Sequence, residues 1–379
     1  MYHALLLILL AGIIPSETPL VPMLLDDESA WQRLSDETIP PEQDLSTLAD
    51  LANKLANWVP RSYWKKHATN TTSPQRGEVV CLEGTAIFAT KLDSVYRCTM
   101  KLSDGSTDEV FLSHVPQAWQ LDAPIQERAA AFGVFIKVYK NVPVFAAPAI
   151  EWFPNTWLGN LGFDVGSFDQ VPVSRVAEAE RNDAETNHRT FKFTESDREP
   201  FYGLLRVVSA TSPGWLEEEA KKQSIGDTDL FNHPQETRGK PVLLSGAAKR
   251  IALTLVTDSE VQSLFGIDHY YQIYLFTEQS RGNPIVVCVC ELPEGMPIGD
   301  SADFAESITV AAVPYKLWIY ETPSKPHYAP VLVGRSLTWH PKPMATRQPP
   351  EWITSFSFAV FFTLAFIWFA CRFLARRSR

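Results

Sequence analysis

Five residues in one stretch of the second half of the chain carry side chains suited to binding or to acid–base chemistry. Asp268 and His269 are adjacent, Tyr271 follows, Arg281 opens an Arg-Gly-Asn-Pro turn, and Glu291 lies further on. A carboxylate beside an imidazole can move a proton, and aromatic and polar groups together bind sugars or peptides. The alternative is a strand whose alternate aromatic residues are buried, with one exposed histidine. We name these five as candidate binding residues and assign no catalytic residue.

The four cysteines outside the C-terminal segment fall into two pairs. Cys81 and Cys98 lie in neighbouring strand-like runs, so a hairpin between these runs would permit a disulfide in an exported protein. Cys288 and Cys290 point to one face of a strand, where they fit as small buried residues. A metal site would need further ligands, and the sequence offers no histidine cluster to supply them. We therefore predict no metal and no cofactor, and keep the Cys81–Cys98 disulfide as a possibility.

The elements that position these residues follow a repeated pattern. The run RGEVVCLEGTA begins at Arg76, and RGKPVLLSGAA begins at Arg238, 162 positions later (238 − 76) without a gap. VFIKVY (134–139) matches VPYKLW (313–318), which sets Lys137 opposite Lys316. Ala-Pro at 147–148 matches Ala-Pro at 329–330, and Trp-Phe-Pro at 152–154 matches Trp-His-Pro at 339–341. We interpret these matches as two β units of one plan.

Each copy contains five short runs of β-branched and aromatic residues, which predict five strands. A curved first strand with Gly84 or Gly246 at its bend fits a small OB-like barrel, although another five-stranded barrel or a small sandwich would give the same pattern. A helix is predicted before each copy, one with Asp44 as N-cap and one with Ser196 as N-cap. The expected fold class is mainly β (α+β overall), with two duplicated OB-like five-stranded barrel units, each preceded by a helix, and a C-terminal transmembrane helix.

The two ends of the chain indicate export and membrane anchoring. Residues 4–14 are apolar and suit the core of a signal peptide (1–16), with an uncleaved anchor or a buried helix as alternatives. Residues 352–371 carry no charge and are long enough to span a bilayer. The tail 372–379 contains four arginines, and arginine beside a span stays cytoplasmic. We therefore predict a single-pass cell-membrane protein with its bulk extracytoplasmic and its C-terminus cytoplasmic.

Composition places the remaining segments and limits the partners. We expect a flexible lead (17–43), a helix plus barrel 1 (44–154) and a linker (155–195). Helices plus barrel 2 (196–341) and a Pro-rich spacer (342–351) follow. Setting aside the four tail arginines, the net charge of −10 becomes −14, which opposes binding to nucleic acid. The second copy has longer loops, including an acidic one over 291–306, so any ligand groove is expected on the second barrel.

RGKPVLLSGAA, FGIDHYY, LFTEQSRGNPIVV and LPEGMPIG resemble stretches of uncharacterised membrane-anchored proteins of planctomycete bacteria. The resemblance covers most of residues 44–341, and it implies a bacterial envelope setting without an activity. The chain lacks Gly-x-Ser-x-Gly, His-Glu-x-x-His, Walker and Gly-x-Gly-x-x-Gly signatures. We predict a binding or scaffolding component of the cell envelope, whose partner is a protein or a glycan. The alternative is an enzyme or enzyme accessory acting on envelope polymer, with a site around Asp268, His269 and Glu291.

Overall fold

The computed structural model describes residues 20–25, 28–71, 73–176, 194–321, 326–341 and 368. The first half begins with helices and continues into five strands. The helices are α1 (Leu20–Leu24), α2 (Glu28–Leu34), α3 (Leu45–Trp58) and α4 (Arg61–His67), with a 3-10 turn at Pro41–Asp44. The strands are β1 (Val79–Leu92), β2 (Val95–Leu102), β3 (Thr107–His114), β4 (Pro124–Tyr139) and β5 (Val142–Phe153).

The second half repeats the order of helices followed by strands. It opens with α5 (Trp157–Asn160), a 3-10 turn (Val165–Gln170) and β6 (Ser174–Val176). The following helices are α6 (Glu195–Ser209), α7 (Trp215–Lys221), α8 (Asp227–Asn232) and α9 (Pro234–Thr237). The remaining elements are β7 (Val242–Leu255), α10 (Ser259–Phe265), β8 (His269–Phe276), β9 (Ile285–Val289), β10 (Glu306–Glu321) and β11 (Pro326–His340).

Both sets of five strands pair in the same circuit. Strands β1 to β5 form a closed barrel in the order β1-β2-β3-β5-β4, in which β3 and β5 are parallel and the other neighbours antiparallel. Strands β7 to β11 pair in the order β7-β8-β9-β11-β10, with β10 returning to β7 and with β9 and β11 parallel. Strand β6 adds to β10 as a parallel sixth strand. The predicted pair of five-stranded units of one plan is confirmed at the level of strand pairing.

The strand registers agree between the two units as well. Ala86 in β1 lies opposite Met100, and the register then shifts by a bulge. Ala248 in β7, 162 positions after Ala86, lies opposite Leu275, and the same shift follows. A bulge sharpens the twist of a strand, so its repetition gives both sheets the same local curvature. The 162-position match of the sequence is therefore also the structural match of the first strands.

One of the sequence matches between the copies is out of register. Val144 of β5 lies opposite both Lys137 and Glu109. Val331 of β11 lies opposite both Lys316 and Val286, so Val144 and Val331 are equivalent positions. Counting three residues on, residue 147 corresponds to residue 334, and the Ala-Pro match of 147–148 with 329–330 is wrong. The Trp-x-Pro match is correct, because residues 152 and 339 are separated by the same 187 positions.

Two glycines occupy the places where the first strand of each unit meets its neighbour. A Cβ at Gly84 would lie 2.3 Å from the backbone oxygen of Lys101, and a Cβ at Gly246 would lie 2.4 Å from that of Phe276. No side chain fits at such distances, since real Cβ atoms keep well beyond 3 Å. Both glycines are therefore required by the close approach of the next strand. The sequence predicted glycine at the bend of the first strand, and these are the two positions.

The residues that recur in the first strands fill the barrel interiors. In the first unit the interior holds Val80, Leu82, Ala86, Met100, Val110, Phe135 and Phe145. In the second unit it holds Val242, Leu244, Ala248, Ile273, Leu275, Val287 and Val310. Alternate residues of each strand point inward, so the identical apolar positions of the two openings are those that face the core.

A helix covers the same part of each barrel. Helix α3 packs against β3 and β5, and helix α6 packs against β11 and β9, which are the counterparts of β5 and β3. Leu48, Leu51 and Leu55 of α3 are fully buried at helical spacing. The prediction of a helix before each barrel is confirmed, and the structure adds that each helix closes the face containing the parallel strand pair.

The helix starts differ in detail from the sequence prediction. Asp44 occupies the N-cap position of α3 without a capping bond, because its carboxylate accepts a 2.6 Å hydrogen bond from Arg33. Helix α6 starts before Ser196, with Thr194 as N-cap, and the Thr194 N–H donates to Asp197 at 3.0 Å. Thr194, Ser196 and Asp197 are all residue types that can cap a helix, and tertiary contacts select among them.

The segments expected to be a flexible lead and a linker contain ordered elements. Within 17–43, Leu20, Leu24 and Leu34 of α1 and α2 are buried against α3. Within 155–195, residues up to Val176 form α5, a 3-10 turn and β6. Residues 177–193 lie outside the described part. The described residues up to His340 belong to one compact unit.

The signal peptide, the C-terminal span and the basic tail fall outside the described residues, apart from Trp368. In the described part of the chain, no helix combines the length and the apolar character needed to cross a bilayer. The membrane anchor therefore stays a prediction from the sequence.

Candidate functional site

Asp268 and His269, the first of the five candidate binding residues, form an exposed pair at the start of β8. The carboxylate of Asp268 and Nδ1 of His269 are 2.6 Å apart, and this hydrogen bond is the main cause that lowers the pKa of Asp268. The side chains are 81% and 39% exposed, respectively. The ring of Tyr271 contacts the His269 ring edge to face at 5.7 Å. The structure therefore brings three of the five together at an exposed position.

Glu291 and Arg281 lie at opposite ends of the β8–β9 pair. Tyr271 is opposite Val289, so Glu291, two residues beyond Val289, is at the same end as His269. Its carboxylate lies 3.7 Å from the guanidinium of Arg335 and is 58% exposed. Arg281 is exposed in the turn at the other end, about 23 Å away along β8. Neither of the two cavities described below is lined by any of the five.

The possible disulfide between Cys81 and Cys98 is not formed, and the strand register explains why. Cys98 lies opposite Ala89, whereas Cys81 lies eight residues earlier in β1 and opposite Phe132 of β4. That offset along β1 is about 26 Å, far beyond the reach of a disulfide. All four cysteines in the described residues are free thiols. Burial raises the pKa of Cys81 to about 11 and that of Cys98 to about 12.

Two cavities lie where the barrels meet, on opposite sides of the end of β5. Glu151 and Phe153 line one, and Trp152 lines the other, because successive residues of a strand point to opposite faces. We call the first, of about 310 Å³, the charged cavity, and the second, of about 500 Å³, the aromatic cavity. Volumes of this size are in the range, or at the lower end, of small-molecule sites.

Helix α4 supplies two cations to the charged cavity. Arg61 and Lys65 are one helical turn apart and therefore share a face. Trp64 between them is buried and fixes the helix on the first barrel. Pro60 ends the preceding helix and begins this one, which turns the face of α4 toward the second half of the chain.

Arg61 joins the two halves of the chain through carboxylates. It donates to Glu151 of β5, and its other terminal nitrogen lies 3.2 Å from a carboxylate oxygen of Glu199 in α6. Burial alone would lower the pKa of Arg61, but Glu151 and Glu199 raise it well above the usual value. The cation is therefore permanent, and it connects the first barrel with the helix that covers the second.

Asp164 is the carboxyl group of this cavity that titrates near neutrality. Its Oδ1 accepts a 2.9 Å hydrogen bond from the backbone N–H of Trp152. Burial, and next the charge of Glu151, raise the pKa of Asp164 to about 7, against the opposing effect of Arg61. Near pH 7 the cavity can therefore hold or release one proton at this carboxylate.

Helix α6 completes the charged cavity with groups at helical spacing. Glu199, Gly203 and Arg206 line it from one face of the helix. Glu199 is paired with Arg61, whereas the guanidinium of Arg206 makes no hydrogen bond or ion pair with the described residues. Lys65 likewise has no carboxylate partner there, and its ammonium lies 5.6 Å from the ring centre of Phe265. Burial, followed by the charge of Arg61, lowers the pKa of Lys65.

The aromatic cavity is built around Arg238, the arginine that opens the second repeated motif. Its guanidinium donates to the backbone oxygens of Tyr315, Phe168 and Val171 at 2.8 to 3.1 Å. The same group lies 5.4 Å from the ring centre of Phe168. Trp157 closes another wall and donates from its indole to the Gly239 oxygen at 3.0 Å. Arg238 therefore ties the segment before β6 to the second barrel.

Sequence reasoning missed the residues of the charged cavity. Arg61, Asp164 and Glu199 belong to no sequence motif that indicates binding. The signal available was the 4-residue spacing of Arg61 and Lys65 on a short helix after Pro60. That signal does not reveal which carboxylates approach from β5 and α6.

Comparison with known proteins adds no identity. No family model matches the sequence, and no curated protein matches it either. Among the described residues, no cluster of three or more His, Cys, Asp and Glu side chains is placed to hold a metal ion.

Proposed function

We propose that this protein is a non-enzymatic binding or scaffolding component of the cell envelope. In this proposal it consists of two duplicated OB-type barrels that stand outside the cytoplasm on a single C-terminal membrane span. The closed circuit of five strands, with a curved first strand, supports the OB type. The equal registers and bulges of the two units support an origin by duplication.

The main support for the proposal is the structural role of the lysines that recur in both units. Lys137 is buried and donates to the backbone oxygens of Asp36 and Ile39 at 2.9 and 2.8 Å. Lys316, its counterpart, is buried and donates to Asp197. Both lysines attach a barrel to its helical segment, so the repeated chemistry builds the fold rather than two matched sites.

The junction of the units, by contrast, occurs once in the molecule. The position equivalent to Glu151 in the second unit is Thr338, one residue before the matched tryptophan. Among the described residues, the charged cavity therefore has no second copy that contains the same carboxylate. A binding role assigned to this junction gives the scaffold one site per chain.

The envelope setting rests on the sequence. The uncharged segment 352–371 and the four arginines after it favour a span with a cytoplasmic C-terminus. The resemblance to membrane-anchored planctomycete proteins supports a bacterial envelope. A reporter fused after Arg379 should be active in the cytoplasm only, and protease added outside should digest the barrels. Protection of the barrels would contradict this topology.

A second candidate function is an enzyme or enzyme accessory acting on envelope polymer. The 2.6 Å contact of Asp268 with His269 favours it, since a carboxylate can orient an imidazole for proton transfer. The exposure of both side chains favours binding instead, because a reacting group is normally enclosed.

Capture experiments with the full-length protein in detergent distinguish the two functions. Bait carrying Arg206→Glu tests the junction, and bait carrying His269→Ala with Tyr271→Ala tests the second barrel. Tyr96→Ala with His114→Ala on the first barrel is the control. Loss of envelope partners with Arg206→Glu alone supports the proposal. Polymer turnover that is abolished by His269→Ala would replace it with the enzymatic function.

A further inference from the structure

The charges around the charged cavity are unevenly satisfied. Its carboxylates have partners: Glu151 and Glu199 bind Arg61, and Asp164 accepts the Trp152 N–H. Its two outer cations, Lys65 and Arg206, make no ion pair with any described residue. Both of these unpaired cations are exposed to solvent.

Lys65 and Arg206 come from different helices and act on each other. The charges of Arg61 and Arg206 add to burial in lowering the pKa of Lys65, while Glu151 and Glu199 act in the opposite sense. Like charges held together without an intervening anion are unfavourable. An added anion between the two cations would relieve this repulsion.

We propose that the charged cavity binds a small molecule through a carboxylate or phosphate group held between Lys65 and Arg206. The apolar part of the ligand then packs against the ring and aliphatic walls of the cavity, which are Phe153, Leu161, Phe163, Val207 and Phe265. This inference gives a ligand class to the binding role proposed above, and it does not depend on the membrane topology.

The charged groups that face the site from each element decide its pH dependence. Helix α4 contributes Arg61 and Lys65, β5 contributes Glu151, and α6 contributes Glu199 and Arg206. The loop before the 3-10 turn contributes Asp164, whose pKa is raised to about 7 by burial. With Asp164 protonated the cavity carries one excess positive charge, and with Asp164 ionised it carries none. Affinity for an anion therefore falls as the pH rises through about 7.

The test is isothermal titration of the purified full-length chain in detergent with benzoate and with phenyl phosphate. Benzyl alcohol is the neutral probe of similar shape. Binding of either anion, without binding of the alcohol, is expected, and the stronger of the two identifies the anionic group. Lys65→Ala and Arg206→Ala should each weaken binding about tenfold or more, because hydrogen bonds to charged groups are strong. Although the cavity walls partly desolvate the ammonium of Lys65, both residues are solvent-exposed and neither makes an ion pair, so neither substitution should impair folding.

Lys66→Ala is the matched control, since Lys66 is the exposed neighbour of Lys65 on α4 and does not line the cavity. It should leave affinity unchanged. Asp164→Asn keeps an acceptor for the Trp152 N–H and should make benzoate binding independent of pH between about 6 and 8. The proposal is overturned if neither anion binds at millimolar concentration, if Lys66→Ala weakens binding as much as Lys65→Ala, or if the double variant Lys65→Ala/Arg206→Ala still binds like the wild type.

Discussion

Lys316 and Asp197 form a buried ion pair in which the ammonium donates to both carboxylate oxygens, at 2.9 and 2.8 Å. Asp197 belongs to the first turn of α6, so the pair fastens this helix to the fourth strand of the second unit. In the first unit Lys137 instead attaches the fourth strand to the segment between α2 and the following 3-10 turn, by donating to the backbone oxygens of Asp36 and Ile39. The same position thus attaches the fourth strand to different partners in the two units.

The difference in partners predicts different costs of removal. Lys316→Met leaves the Asp197 carboxylate buried without its cation and should lower the free energy of unfolding by about 3–5 kcal/mol. Lys137→Met leaves only neutral carbonyls and should cost roughly 1–3 kcal/mol. Urea unfolding of both variants measures the difference. Equal losses would show that the charge of Asp197 is not the reason for the Lys316 pair.

The glycines at the strand bends should not tolerate a methyl group. Gly84→Ala and Gly246→Ala place a Cβ 2.3 and 2.4 Å from a backbone oxygen, so each should cost about 3 kcal/mol or more. Gly203→Ala is the control, because its Cβ would be 3.6 Å from the nearest atom in the interior of α6. That change should stabilise the protein by roughly 0.5–1 kcal/mol. Thermal unfolding of the three variants measures these changes in stability. A Gly84→Ala variant as stable as the wild type would contradict the close approach of β2.

Asp164 should make stability depend on pH between about 4 and 7. Its pKa is about 7 in the fold and close to the ordinary 3.8 when unfolded, so the folded state binds the proton more tightly. Stability from this group is therefore lost as the pH rises, at up to about 1.4 kcal/mol per pH unit. Asp164→Asn should remove this slope and be more stable than the wild type at pH 8. Urea unfolding from pH 4 to 8 measures how the free energy of unfolding changes with pH. If Asp164→Asn keeps the pH dependence of the wild type, another group is responsible for it.

The four described cysteines should remain thiols even in an oxidising compartment. The register separates Cys81 from Cys98, and burial raises the pKa of each thiol, so oxidation is slow. Alkylation in denaturant without reductant, followed by mass spectrometry, should modify Cys81, Cys98, Cys288 and Cys290 completely. Cys98→Ala should then leave the complete alkylation of the other three unchanged. Recovery of a Cys81–Cys98 peptide only after reduction would contradict the strand register.

The sequence by itself determined the repeated strands, because identical residues recur where the same physical constraint recurs. Gly84 and Gly246 meet a neighbouring strand, and the Ala86 and Ala248 side chains point into a barrel. Trp152 and Trp339 of the two Trp-x-Pro stretches lie at equivalent positions of β5 and β11. Local periodicity also identified the helix that precedes each unit, since an apolar face must be buried.

Only the tertiary structure decided where the charged groups meet. The candidate residues Asp268, His269 and Glu291 share one exposed end of the second barrel, while Arg281 lies at the other end because the strands are antiparallel. The charged cavity brings Arg61 together with Glu151 and Glu199, which lie 90 and 138 positions after the arginine in the sequence. Contacts over such separations depend on how helix and barrel pack, and no local pattern encodes them.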